Sequence, residues 1–171
     1  SIGFRTQRLE VRPLPETQKR NKLMKFQFSA GGIVFKKSGD KTEVLVSQHS
    51  QHHGWVFPKG LIGDHPSAGS GQVKETKEDA AMREVKEETG IEGKIIKTLT
   101  PAAYCFVFEK EKVIKTVYYF LMEYVGGDIT KHDHEMETVE WLPVEKVEER
   151  LTYKSDQKVW QVALKILNLK F

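Results

Sequence analysis

One cysteine, Cys105, stands among the 171 residues, so no disulfide can close within the chain. A lone thiol suits a reducing compartment better than an oxidising one. Long apolar runs are missing as well. The longest, Val117 to Met122, falls far short of the roughly 20 residues that a membrane-spanning helix needs. The first residues lack the apolar core and small-residue cleavage site of a secretory signal. Charge of one sign is not in excess: 27 basic and 24 acidic side chains give a net charge of +3, too balanced to imply nucleic-acid binding. There is no internal repeat, heptad or low-complexity tract. These absences lead to the expectation of a cytoplasmic protein with neither a membrane nor a nucleic acid as partner. What is present, 39% apolar and 30% charged residues, suffices for one domain with a real core.

Composition shifts along the chain. Residues 1–25 hold seven basic side chains against Glu10 and Glu16, with Pro13 and Pro15 breaking any regular structure. They read as a basic N-terminal extension, either a solvated arm or a cover that attracts polyanions. Residues 26–171 read as the folded domain. Phe26 to Phe35 and Glu43 to Ser47 have strand character around the Ser38-Gly39-Asp40 turn. Leu61 to Lys74, with Pro66 and several glycines, has the composition of a loop.

Glu75 to Glu88 is the clearest helix. It has good helix formers, Thr76 as a candidate cap with Asp79 three residues on, and Gly90 just past its end. Three strand-like runs follow: Lys94 to Leu99, Ala103 to Glu109 and Val113 to Tyr124. The last two read as a hairpin joined through Lys110-Glu111-Lys112. Val139 to Leu142 reads as a short strand, Pro143 as the start of a helix, and Asp156 to Leu169 as an amphipathic helix. This mixed order indicates an α/β or α+β domain.

The chemistry concentrates in the first strong helix, at Arg83-Glu84-Val85-Lys86-Glu87-Glu88-Thr89-Gly90-Ile91. Glu84, Glu87 and Glu88 stand at i, i+3 and i+4, so their carboxylates share one helix face and repel one another. Arg83, four residues before Glu87, offsets only part of that repulsion. A hard divalent cation would resolve it, because magnesium takes oxygen ligands and bridges carboxylates to phosphates. Taken alone, such a triplet is common on solvated helix faces.

The wider spacing changes its weight. Gly69-x5-Glu75-x7-Arg83-Glu84-Val85-x-Glu87-Glu88-x-Gly90-Ile91 resembles the Nudix signature G-x5-E-x7-R-E-U-x-E-E-x-G-U, with U aliphatic. At ordinary residue frequencies the seven specified positions match by chance on the order of 10⁻⁸ times per start site. Trp55-Val56-Phe57-Pro58-Lys59-Gly60, the Lys115 to Tyr124 strand and Glu135…Trp141-Leu142-Pro143 are similar to the diadenosine polyphosphate hydrolase branch of that family. In relatives with Pro-Lys-Gly, that glycine begins the signature. Here Gly60 lies fifteen residues before Glu75, which implies a loop longer by about nine residues. Gly69 satisfies the pattern as written, and Gly60 is the alternative structural equivalent.

The resemblance implies a Nudix fold, an α/β/α sandwich around a mixed sheet, with the signature at 69–91. It further implies magnesium- or manganese-dependent hydrolysis of a phosphoanhydride bond in a small nucleoside polyphosphate. Glu84, Glu87 and Glu88 would be metal-binding carboxylates, with the Lys59 carbonyl and Glu135 as further ligands. Glu87 or Glu88 would take the water proton. Arg83 would orient the glutamates through a pairing with Glu75. Lys59 and Gly60 would meet the phosphates, and Tyr104, Tyr118 and Tyr153 are the candidate rings for stacking on a base. Diadenosine tetraphosphate is the first expected substrate. An ordinary or oxidised nucleoside triphosphate is the runner-up; a diphosphoinositol polyphosphate, a 5′-triphosphorylated RNA and a non-catalytic nucleotide-binding module are the remaining alternatives.

Other residues read more plainly. His49, His52 and His53 have no zinc-site spacing and suit a polar loop. Trp55, Trp141 and Trp160 suit the core or its margins. Cys105, on a strand with no electropositive helix end nearby, reads as an inert buried thiol.

Overall fold

A computed structural model describes residues 24–63 and 74–168. Most of the N-terminal extension, Gly69 and most of the long loop therefore lie outside the described residues. Among the described residues, eight strands form one connected sheet: β1 (Lys25–Ser38), β2 (Lys41–His49), β3 (Trp55–Val56), β4 (Lys59–Leu61), β5 (Ile91–Thr98), β6 (Ala102–Phe108), β7 (Glu111–Gly127) and β8 (Met136–Pro143). The central pair, β1 and β7, is parallel, from Lys25 opposite Val113 to Phe35 opposite Glu123. The other pairings are antiparallel: β1 with β2 and β4, β2 with β3 and β8, and β7 with β5 and β6. The sheet is thus mixed, as expected.

Alternation along β7 sorts its side chains between two cores. Val117, Tyr119 and Leu121 face helix α3 (Lys154–Leu167), where Val159, Trp160, Ala163 and Leu164 are buried against Ile33, Phe35, Val46 and Phe57. Tyr118, Phe120 and Met122 face helix α1 (Lys77–Thr89), which buries Ala80, Ala81 and Val85 against Ala30, Val34 and Leu45. Each fully buried side chain of this kind contributes roughly 1.5–3 kcal/mol. Two helices on opposite faces of one sheet make the expected sandwich. Among the described residues, no helix is long and apolar enough to cross a membrane.

Helix α1 starts and stops where its sequence says. Thr76 accepts a hydrogen bond from the Asp79 N–H at 3.1 Å, and its hydroxyl bonds Asp79 Oδ2 at 2.7 Å. Gly90 ends the helix at φ 74°, its N–H donating to the Lys86 carbonyl at 2.8 Å. A Cβ on that glycine would stand 2.2 Å from the Asp128 carbonyl oxygen, so both the dihedral and the space require glycine.

Three local readings change. The β6–β7 hairpin turns at Glu109 and Lys110, both at positive φ, rather than through Lys110-Glu111-Lys112. Pro143 ends β8 and caps a single 3₁₀ turn, Val144–Lys146, which leads into the short α2 (Val147–Arg150). Cys105 is exposed, not buried: β6 is an edge strand that turns Tyr104 and Phe106 inward and the cysteine out.

Candidate active site

Arg83 organises one wall of the site. Its Nε donates to Glu75 Oε1 at 2.7 Å and its Nη2 to Glu75 Oε2 at 3.1 Å, so the pairing that the resemblance implies takes a bidentate form. The same Nη2 donates to the Leu61 carbonyl at 3.1 Å, while Glu75 Oε2 accepts from the Gly63 N–H at 2.6 Å. This pair therefore fastens the end of β4 to the start of α1. Nη1 reaches Glu84 Oε1 at 2.6 Å and Glu87 Oε2 at 3.3 Å. The Glu75 hydrogen bonds hold the guanidinium more firmly protonated than usual, and burial opposes them only in part.

The three signature glutamates do not converge. Glu84 and Glu88 are buried and line one cavity, whereas the Glu87 side chain is half-exposed and bonds Arg83. Residues adjacent in a helix leave its axis roughly 100° apart, and here Arg83 draws Glu87 one way while Glu88 turns to the Lys59 N–H. Glu88 Oε2 accepts from the Lys59 N–H at 3.0 Å. Burial raises the proton affinity of Glu84, and the charges of Glu87 and Glu135 add to it against the pull of Arg83. Burial likewise pushes Glu88 well above the carboxylate range, with Lys59 opposing and Glu84 and Glu135 reinforcing.

Among the described residues, no three carboxylate, imidazole or thiol groups lie close enough together to hold an ion. In kind, though, the donors suit a hard divalent cation. Two carboxylates are buried in one cavity wall, and a third, Glu135, raises the proton affinity of both. Carboxylate oxygens grouped in this way are the kind of ligand that magnesium or manganese takes.

The cavity measures about 870 Å³, within the range of small-molecule sites. Glu84, Glu88, Glu135, Lys59 and Lys115 contribute charge to its wall, with Gly60 beside them, and Phe57, Tyr104, Phe106 and Tyr153 form its aromatic part. Of the rings singled out from sequence, Tyr104 and Tyr153 line it and Tyr118 does not. Tyr118 lies on the α1 face, with Lys77 Nζ 5.1 Å above its ring, because strand alternation gives the other face to Tyr119. His49 and His52 join the wall as a stacked pair with centroids 4.2 Å apart, and the Tyr153 hydroxyl meets His52 Nδ1 at 3.0 Å. Burial lowers the proton affinity of His52, helped by the charges of His49, Lys59 and His53.

Two inward-facing charged residues of the lining escaped the sequence reading. Lys115 sits at an inward position of β7 between Val113 and Val117. Burial and the neighbouring Lys59 lower its proton affinity, and it has no hydrogen bond or ion pair among the described residues. Asp156 occupies the buried stripe of α3 with Val159, Trp160 and Ala163, at 2% exposure. In both cases the signal was a charge at a position whose periodicity belongs to the core.

A family model described as the NUDIX domain matches residues 25–161. A Mycobacterium tuberculosis protein named as mutator protein MutT4 is 35% identical over 114 residues, which cover 67% of this chain and 42% of that one. An 8-oxo-(d)GTP phosphatase of Mycolicibacterium smegmatis is 31% identical over 117 residues, 68% of this chain and 32% of that one. The chain thus spans less than half the length of either relative. A crystal structure of a Caenorhabditis elegans Ap4A hydrolase binary complex superposes with a TM-score of 0.63 at 24% identity, covering 83% of this chain and 98% of that one. That last likeness is one of fold.

Proposed function

The chain belongs to the NUDIX domain family, and on that premise we propose that it is a divalent-metal-dependent pyrophosphohydrolase of nucleoside polyphosphates. The observation that carries the reading is the cavity itself. Buried Glu84 and Glu88 share it with the cationic Lys59 and Lys115 and with the aromatic Tyr104 and Tyr153. Carboxylates, cations and rings are the three kinds of group that a metal–polyphosphate–base substrate engages.

Glu84 and Glu88 would hold the ion, joined by Glu87 once its side chain leaves Arg83, with Glu135 and the Lys59 carbonyl as further oxygen donors. A bound magnesium or manganese ion supplies positive charge against the phosphates and acidifies the attacking water. Lys59 and Lys115 draw the phosphate chain into the cavity and balance its charge. Water forms a bond to one phosphorus while the anhydride P–O bond on its far side breaks, releasing a nucleotide. The water proton passes to the Glu88 oxygen that does not accept from Lys59. Glu88 lines the cavity and leaves one carboxylate oxygen free of the Lys59 N–H, which is the geometry a proton acceptor needs. Arg83 keeps Glu84 oriented, and Glu75 keeps Arg83 in place.

Diadenosine tetraphosphate is the first substrate. The Pro58-Lys59-Gly60 context supports it. The second reading is an oxidised nucleoside triphosphate, supported by the 31% identity to an 8-oxo-(d)GTP phosphatase. A substrate panel run with magnesium, manganese and chelator, with products resolved by chromatography, tests both. Turnover of the triphosphate without turnover of diadenosine tetraphosphate would reverse their order. No metal-dependent cleavage of any phosphoanhydride would end the reading.

A further inference from the structure

Asp156 has no part in the chemistry above, yet it lines the cavity and its side chain is 3% exposed. A carboxylate so deeply buried needs partners, and it has two of different kinds. The Tyr119 hydroxyl, fully buried, donates to Oδ1 at 2.8 Å. The Lys59 ammonium stands 3.9 Å from the same oxygen. The first partner is neutral and satisfies one lone pair of the carboxylate; the second carries the opposite charge and sits on a flexible stem.

Lys59 is thereby engaged at both ends. Its main-chain N–H donates to Glu88 Oε2 at 3.0 Å on the α1 side, while its ammonium meets Asp156 on the α3 side. The ammonium has two anionic destinations within the cavity: Asp156, or the buried pair Glu84 and Glu88 beside its own backbone. In the second position it would neutralise the carboxylates that the proposed function assigns to a metal ion.

We propose that Asp156 is a positioning residue: its fixed charge draws the Lys59 ammonium to the α3 wall and keeps it off Glu84 and Glu88, leaving those carboxylates open to a divalent cation. The inference rests on the proposed function for the identity of the metal ligands. It assigns to Asp156 a role in metal affinity exerted wholly through Lys59.

Manganese binding to the substrate-free protein, followed by electron paramagnetic resonance or calorimetry, tests it without reference to turnover. Asp156→Asn retains an acceptor for Tyr119 and removes only the charge, and it weakens manganese binding by about tenfold, the lower end for a residue supporting metal ligands. In a Lys59→Met background the same substitution has no effect, because no ammonium is left to compete. Tyr119→Phe, which removes the hydrogen bond and keeps the charge, lowers the melting temperature and leaves manganese affinity unchanged. Asp156→Asn binding manganese like the parent overturns the inference. So does an equal loss in the Lys59→Met background, or an equal loss in Tyr119→Phe, since either makes the effect structural. A parent protein that binds no manganese overturns both this inference and the proposed function. A parent that binds manganese but cleaves no phosphoanhydride removes the proposed function alone, and the same titration still decides the role of Asp156.

Discussion

Gly60 lies directly against the carboxyl group of Glu84: a Cβ built on the glycine would stand 2.1 Å from Cδ and 2.2 and 2.3 Å from the two oxygens. The obstructing atoms are the far end of a flexible side chain, so an alanine can be accommodated by moving Glu84. That movement breaks the 2.6 Å bond from Arg83 and takes the carboxylate out of its place in the cavity. Gly60→Ala therefore costs about 1 kcal/mol of stability. It lowers turnover by about a hundredfold, the effect of misplacing a catalytic group by an ångström. Chemical denaturation and steady-state rates on the same preparation check this, and an active Gly60→Ala enzyme would show that Glu84 need not stay where it is.

Arg83 and Glu75 act as one unit. Replacing Arg83 by Lys keeps the charge and loses the fork that spans both Glu75 oxygens, the Leu61 carbonyl and Glu84. Glu75→Gln weakens the same links from the other side. Because the two residues are in contact, a double-mutant cycle on unfolding free energy gives a coupling of about 1–3 kcal/mol. Additive losses would mean that the pairing does not hold β4 to α1.

The signature carboxylates divide by burial, and their glutamine variants divide with them. Glu88→Gln removes a deeply buried charge and keeps an acceptor for the Lys59 N–H. Without divalent ions its melting temperature equals or exceeds that of the parent, while hydrolysis falls by about 10²–10⁴-fold. Glu87→Gln, with a half-exposed side chain held at 3.3 Å by Arg83, changes stability little, by about 0.5 kcal/mol or less. Equal turnover in the parent and Glu88→Gln would refute its role as the proton acceptor.

The helix of the signature could be read because its caps, its apolar stripe and its acidic residues all speak within one stretch of chain. The β7 face assignment could not. Val117 to Met122 alternates between two cores, both apolar, so no polar–apolar pattern shows which tyrosine faces which helix; Tyr118 and Tyr119 look equivalent until both layers are in place. Cys105 posed the opposite problem. Its strand AAYCFVF reads as buried throughout, and only the position of β6 at the sheet edge exposes every second residue. Lys115 and Asp156 carried a signal, a charge on an inward position, but its meaning depends on a cavity built from β4, β6, β7 and α3 together.

Exposure of Cys105 has a direct chemical consequence. A thiol-specific reagent should modify one equivalent in the native protein at a rate close to that of the denatured chain, because no structure need open first. The modified protein should keep its turnover, since the cysteine points away from the face that carries Tyr104 and Phe106. Modification only after denaturation would return Cys105 to the interior.

Tyr119 makes the fold sensitive to alkali. Burial raises its proton affinity well above the ordinary value of 10.0, and the charge of Asp156 and the hydrogen bond to it act in the same direction. The folded state therefore keeps the phenol neutral at pH values where the unfolded chain has already released the proton. Its contribution to stability is complete below pH 10 and declines as pH rises further, because ionisation then favours the unfolded state. For one group this slope reaches about 1.4 kcal/mol per pH unit. Tyr119→Phe removes it, at a cost near neutrality of about 1–3 kcal/mol for the acceptor left on buried Asp156. The difference in unfolding free energy between the parent and Tyr119→Phe should thus shrink between pH 10 and pH 11, which cancels the titration of the surface lysines common to both. A difference that stays constant over that interval would mean that the Tyr119 phenol ionises in the folded protein as readily as in the open chain.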